Sequence, residues 1–129
     1  MTPKERLNKT LKFEEPDRPP HFEHTYELVE EAFALSYPSE DEMNASTGLG
    51  REKLFAQCAE VYARTVERFK WDAVLVWRPA MRNSAQYEFI PFLKRYLGPD
   101  IRIICSFPLI FLRIGESSLN GQKRFLSVL

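Results

Sequence analysis

With 129 residues the chain has room for one domain with a real hydrophobic core, and no more. Lysine plus arginine number 18 and so do aspartate plus glutamate, so no global field draws the protein to nucleic acid or an anionic membrane. Aromatic residues make up 13% of the sequence, ten of them phenylalanine, which excludes a disordered chain.

Thr2-Pro3-Lys4-Glu5 is a helix start. Thr2 can cap, Pro3 suits the first helical position, and Glu5 can reach back to the cap's amide. The helix carries Leu7 and Leu11 on one face and stops at Glu14-Glu15-Pro16-Asp17-Arg18-Pro19-Pro20, where two successive prolines favour extended chain. His21–His24, with Phe22 between polar neighbours, is then expected as a short strand. Tyr26, Leu28, Val29, Ala32, Phe33 and Leu35 recur at helical spacing, and Ser36-Tyr37-Pro38-Ser39 breaks that helix. Ser39 followed by Glu42 is a second capping box, opening a short helix through Ala45.

Thr47-Gly48-Leu49-Gly50 reads as a hinge-like break, after which Arg51 opens the strongest helix of the chain. Leu54, Phe55, Cys58, Val61, Tyr62, Thr65, Val66 and Phe69 fall on its apolar side. Arg51, Glu52, Lys53, Glu60, Arg64, Glu67 and Arg68 fall mostly on the other. Ala73–Trp77 is short, valine-rich and apolar on both faces, as a strand covered on both sides by helices must be. Met81–Phe89 fits a loop or a short helix, and Pro91 is placed in the first turn of a helix running to Leu97. Gly98 and Pro99 close that helix, and Asp100–Cys105 is a third strand. Residues 107–129 show no clean period and are expected to be an irregular or poorly ordered tail behind a domain of residues 1–106. Strands alternating with helices imply an α/β fold with βαβ units and a parallel sheet.

Cys58 and Cys105 are too far apart for a Cys-x-x-Cys zinc ribbon. The charged N-terminus has no apolar signal core, and the apolar stretch around Ile101–Ile114 falls short of the roughly 20 residues needed to span a bilayer. A cytoplasmic protein with free thiols and no membrane partner is therefore expected.

Met1–Leu7 followed by Glu15-Pro16-Asp17-Arg18-Pro19-Pro20 resembles the opening of the uroporphyrinogen decarboxylase superfamily, which also contains corrinoid-linked methyltransferases. Phe69-Lys70-Trp71-Asp72-Ala73-Val74 is similar to that family's junction before its second strand, and the likeness covers roughly residues 1–105. The resemblance implies a partial (β/α)8 barrel, with about three parallel strands and flanking helices. A complete barrel takes about 250 residues, so the chain is expected to be an N-terminal fragment or a shortened member. Full-length relatives act on a small molecule, either as lyases of porphyrin metabolism that decarboxylate a tetrapyrrole or in corrinoid-dependent methyl transfer. The fragment alone is expected to be inactive and, with open sheet edges, to self-associate. A non-catalytic α/β interaction module that works through such an edge is the alternative.

In such barrels chemistry sits at the C-terminal strand ends. His24 and Arg78 are the first expected substrate-binding residues, with His21, Glu23 and Arg82 behind them. Two imidazoles and a carboxylate can bind metal or move protons. However, His21 and His24 point to opposite faces of an extended strand, so no metal site is assigned and packing or surface roles stay open. The arginines suit a substrate carboxylate or phosphate, or an ion pair with Glu88 or with a neighbouring helix. Asp72 lies at the opposite, stabilising end of its strand and reads as structural. Cys58 reads as core. Tyr87 and Trp77 read as core aromatics or the wall of a pocket. No cofactor is evident in the chain itself; corrinoid and zinc belong to a full-length methyltransferase-like relative. Two departures argue against porphyrinogen decarboxylation. The arginine-rich stretch after the family's first strand is missing from His21–Phe33, and Pro79 stands where the family has an aspartate.

Overall fold

The computed structural model describes residues 1–24, 26–76, 81 and 84–105. In chain order these form α1 (Pro3–Leu11), α2 (Val29–Phe33), α3 (Glu40–Ala45), α4 (Gly48–Phe69), β1 (Ala73–Val76), α5 (Ser84–Leu97) and β2 (Arg102–Cys105). Both expected capping boxes form. The Thr2 and Ser39 side chains accept from the amides of Glu5 and Glu42, whose carboxylates bond back to the cap amides. These bonds hold the Glu5 and Glu42 carboxyls below the usual range.

β1 and β2 run parallel, with Ala73 opposite Arg102 and Val76 opposite Cys105, and α5 makes the crossover between them. Val74, Val76, Ile101 and Ile103 meet Met43 of α3, Phe55, Cys58, Ala59 and Tyr62 of α4, and Phe89 and Leu93 of α5 in one cluster. Met43, Cys58, Val74, Phe89 and Leu93 are completely buried. Each such side chain contributes about 1.5–3 kcal/mol by leaving water, so α4, α5 and the sheet are held mainly by apolar contact. Phe55 packs on Phe89 with ring centroids 5.2 Å apart, and Tyr37 meets Tyr62 edge-on at 5.8 Å.

The expected partial barrel with three parallel strands does not form. The described chain is mostly helical, and its sheet has two strands. The missing strand is His21–His24. Pro19 and Pro20 have no amide hydrogen to give to a ladder. The His21 amide is captured instead by the Asp72 carboxylate at 2.8 Å. One backbone bond, from the Asp72 amide to the His21 carbonyl at 2.7 Å, joins this segment to the start of β1.

Three boundaries also differ from expectation. The helix read across Tyr26–Leu35 shrinks to the five residues of α2, whose first residue follows Leu28 with no side-chain cap. Gly48-Leu49-Gly50 is no hinge but the first turn of α4, with Gly48 at φ +54, a value glycine adopts without steric cost. Pro91 lies inside α5, not in its first turn. Its ring removes the bond to the Tyr87 carbonyl, a cost of about 3 kcal/mol in a helix interior. Ala85, Phe89 and Leu93 offset this as a fully buried stripe at i, i+4 and i+8. Arg51, expected in solvent, is buried, donating to the Ser46 carbonyl at 2.8 Å and to Glu88 at 2.9 Å.

α1 ends in a Schellman motif, with the Glu14 amide on the Lys9 carbonyl at 2.9 Å and the Phe13 amide on Thr10 at 3.0 Å. The left-handed position is Phe13 (φ 61), not glycine, and Ala34 and Lys70 do the same after α2 and α4. Among the described residues no helix is long and apolar enough to cross a membrane.

Candidate functional site

The resemblance rests on two stretches far apart in sequence, Glu15–Pro20 and Phe69–Val74. The structure joins them through one carboxylate. Asp72, with no exposed surface, leads from the left-handed turn at Lys70 into β1. One of its oxygens accepts from Arg6 Nη1 and from Arg18 Nη2 at 3.0 Å. The other accepts from Arg18 Nη1 at 2.8 Å and from the His21 amide at 2.8 Å. A carboxylate stripped of water is tolerable only when its lone pairs are filled by charged donors, as here.

Asp17 completes the cluster. Its two oxygens take Arg6 Nε at 2.6 Å and Nη2 at 2.9 Å, a two-pronged pair. The Arg6 guanidinium holds the Asp17 carboxyl down to about 2. Arg6 is itself pushed up, chiefly by the bonds from Asp17 and then Asp72. Arg6 also donates to the Met1 carbonyl at 3.0 Å, and Arg18 to the carbonyls of Pro19 and Lys70. The cluster thus ties α1, the proline-rich turn, the end of α4 and the start of β1 together. Its two guanidiniums, with the Met1 ammonium 3.8 Å from Asp17, and its two carboxylates satisfy one another, which suits fastening rather than turnover. Asp72 was expected to be structural, and its surroundings agree.

The histidine segment hangs from this cluster. His21 stands edge-on to Trp71, ring centroids 6.3 Å apart. Its Nδ1 is 3.3 Å from the Phe69 carbonyl at the end of α4, and Nε2 is 3.5 Å from Glu23 Oε1. His21 and Glu23 are therefore brought together, and both are exposed. His24 lies at a bend, also exposed. His21 consequently sits by the N-terminal end of β1, opposite the strand end at which it was expected. The other two expected binding residues, Arg78 and Arg82, lie outside the described residues, as do Trp77, Pro79 and the tail from residue 106.

Glu88, one of the ion-pair partners left open for Arg78 and Arg82, is bonded to Arg51. Tyr87 is 69% exposed and belongs to no core. Cys58 is core, as read, and burial pushes its thiol well above the ordinary range. Among the described residues no group of three histidine, cysteine, aspartate or glutamate side chains is placed to hold a metal ion.

The roles of Arg6, Asp17 and Arg18 escaped the sequence reading. No spacing rule pairs Arg6 or Arg18 with a carboxylate 66 or 54 positions away. The available signal was Asp72 itself, a charged residue directly before a strand apolar on both faces, which must find cations if it is buried. Comparison with family models, with curated proteins and with solved structures finds no match.

Proposed function

We propose that the chain is the N-terminal part, or a shortened member, of a uroporphyrinogen decarboxylase-like enzyme. Its full-length relatives decarboxylate a tetrapyrrole or carry out corrinoid-dependent methyl transfer on a small molecule. One observation supports this reading above the others: the two stretches that carry the resemblance, brought in from separate parts of the sequence, are bonded to each other through Arg18 and Asp72. The reading rests on that contact and on the parallel β1–α5–β2 unit, not on a third strand. Within it the Asp17-Arg18 motif fastens the N-terminal helix to the sheet. Ligand contacts are assigned to His24 and Arg78 first and then to Arg82; His21 and Glu23, which lie by the N-terminal end of β1, are given no ligand role. Zinc or corrinoid, where the methyltransferase chemistry applies, would be held by residues outside those described. A cytoplasmic location goes with the same proposal.

The test is to read the coding DNA past Leu129 in every frame and express the longest product. Tetrapyrrole decarboxylation and methyl transfer from methylcobalamin are then assayed, with His24→Ala and Arg78→Ala alongside. Turnover of either kind, impaired by either substitution, is the expected result. A folded product that performs neither reaction rejects the proposal, and unchanged kinetics in both variants removes the site assignment.

A second reading has its own support. Among the described residues each strand has one ladder partner, and an outer edge of that sort can pair with another chain. A non-catalytic module that self-associates through this edge predicts a concentration-dependent dimer by light scattering. A strict monomer at high micromolar concentration removes this alternative.

A further inference from the structure

We propose that Pro3–Arg18 is a strap latched by charge, which opens as a unit while α4, β1 and α5 remain folded. The contrast in how the elements are held carries the inference. α1 buries two side chains, Arg6 and Leu7, so Leu7 is its one buried apolar group. Leu11 is 57% exposed and Phe13 99%. α4, by comparison, buries Phe55, Cys58, Ala59, Val61 and Tyr62. Cooperative units open in the order of the contacts that hold them, and a helix with one buried apolar residue belongs at the low end.

What holds the strap is polar. Arg6 and Arg18 grip Asp72, Arg18 reaches the Lys70 carbonyl at 3.2 Å, and Asn8 accepts from Arg102 of β2 at 3.0 Å, while the pair of Asp17 with Arg6 lies within the strap. The Arg18 side chain is 40% exposed, so water and salt reach the outer half of the latch. Neither reaches the apolar seam of α4. Opening parts both guanidiniums from Asp72, keeps the Arg6–Asp17 pair within the strap, uncovers Leu7, and bares the N-terminal ends of β1 and β2.

Native-state hydrogen exchange of the full chain, read by mass spectrometry at neutral pH, tests the strap. The wild type and Arg18→Gln, which removes the half-exposed cation bonded across the latch to Asp72 and the Lys70 carbonyl, are compared at low salt, and the wild type is repeated in about 1 M sodium chloride. Amides of Leu7–Leu11 should exchange roughly tenfold faster in the variant and in high salt, while those of Phe55–Val66 keep their rates. Unchanged exchange in α1 under both conditions overturns the proposal. So does equal acceleration in α1 and α4, because the two would then open as one body.

Discussion

Asp72→Asn isolates the charge of the buried carboxylate with almost no change of shape. In the wild type the two oxygens take four donors, three of them on guanidiniums. The amide offers one acceptor oxygen and turns an NH2 group toward an arginine. Removing one partner from a buried ion pair costs about 3–5 kcal/mol, because the charges left behind are uncompensated. Here the strap limits the damage: if residues 3–18 detach, Arg6 and Arg18 regain water, which brings the expectation to the lower end, about 3 kcal/mol. Against a total stability of about 5–15 kcal/mol this is a large fraction. With a urea slope of about 1–3 kcal/mol/M, the unfolding midpoint followed by circular dichroism should fall by about 1 M or more. Arg64→Ala, which breaks the exposed pair with Glu60 on α4, is the control and should leave the midpoint in place. If Asp72→Asn leaves the midpoint where it was, the charge is not what fastens the N-terminal segment, and the reasoning fails.

Two further outcomes are expected. Asp17 has a folded-state value of about 2, below its ordinary value of 3.8, so its contribution is present above pH 4 and drains away as pH falls from about 4 through 2; urea midpoints taken across that range should drop less steeply in Asp17→Asn than in the wild type. Pro91→Ala restores an amide to the Tyr87 carbonyl inside α5 and should stabilise by about 1–2 kcal/mol after allowance for the greater freedom of the unfolded chain, and a lowered midpoint would refute this account of the proline.

Much of the fold was legible because it is local. The two capping boxes, the apolar stripe of α4 and the β-branched run of β1 each announce themselves within a few residues, and all formed. What was not legible depended on partners distant in sequence. His21–His24 has a composition open to a strand, but a side chain from position 72 takes the amide that a ladder needs. Pro91 obeys the rule for a first helical turn, yet the buried pair Phe89 and Leu93 carries the helix through it. Arg51 carries the charge of a surface residue and is drawn inward by Ser46 and Glu88. Of the candidate site residues, His21 and Glu23 lie beside the N-terminal end of the strand, because Asp72 holds the His21 amide there, a placement set by a partner distant in sequence.

The way Asp72 is satisfied bears on how the protein can be cut or tagged. A chain begun at Pro19 would look harmless on a hydropathy plot, since it discards one buried leucine. It would also discard Arg6 and Arg18, the side-chain cations bonded to Asp72 among the described residues, and leave that carboxylate at the start of β1 without them. Trimming the start of this protein therefore amounts to a mutation at the root of β1, more than fifty positions downstream.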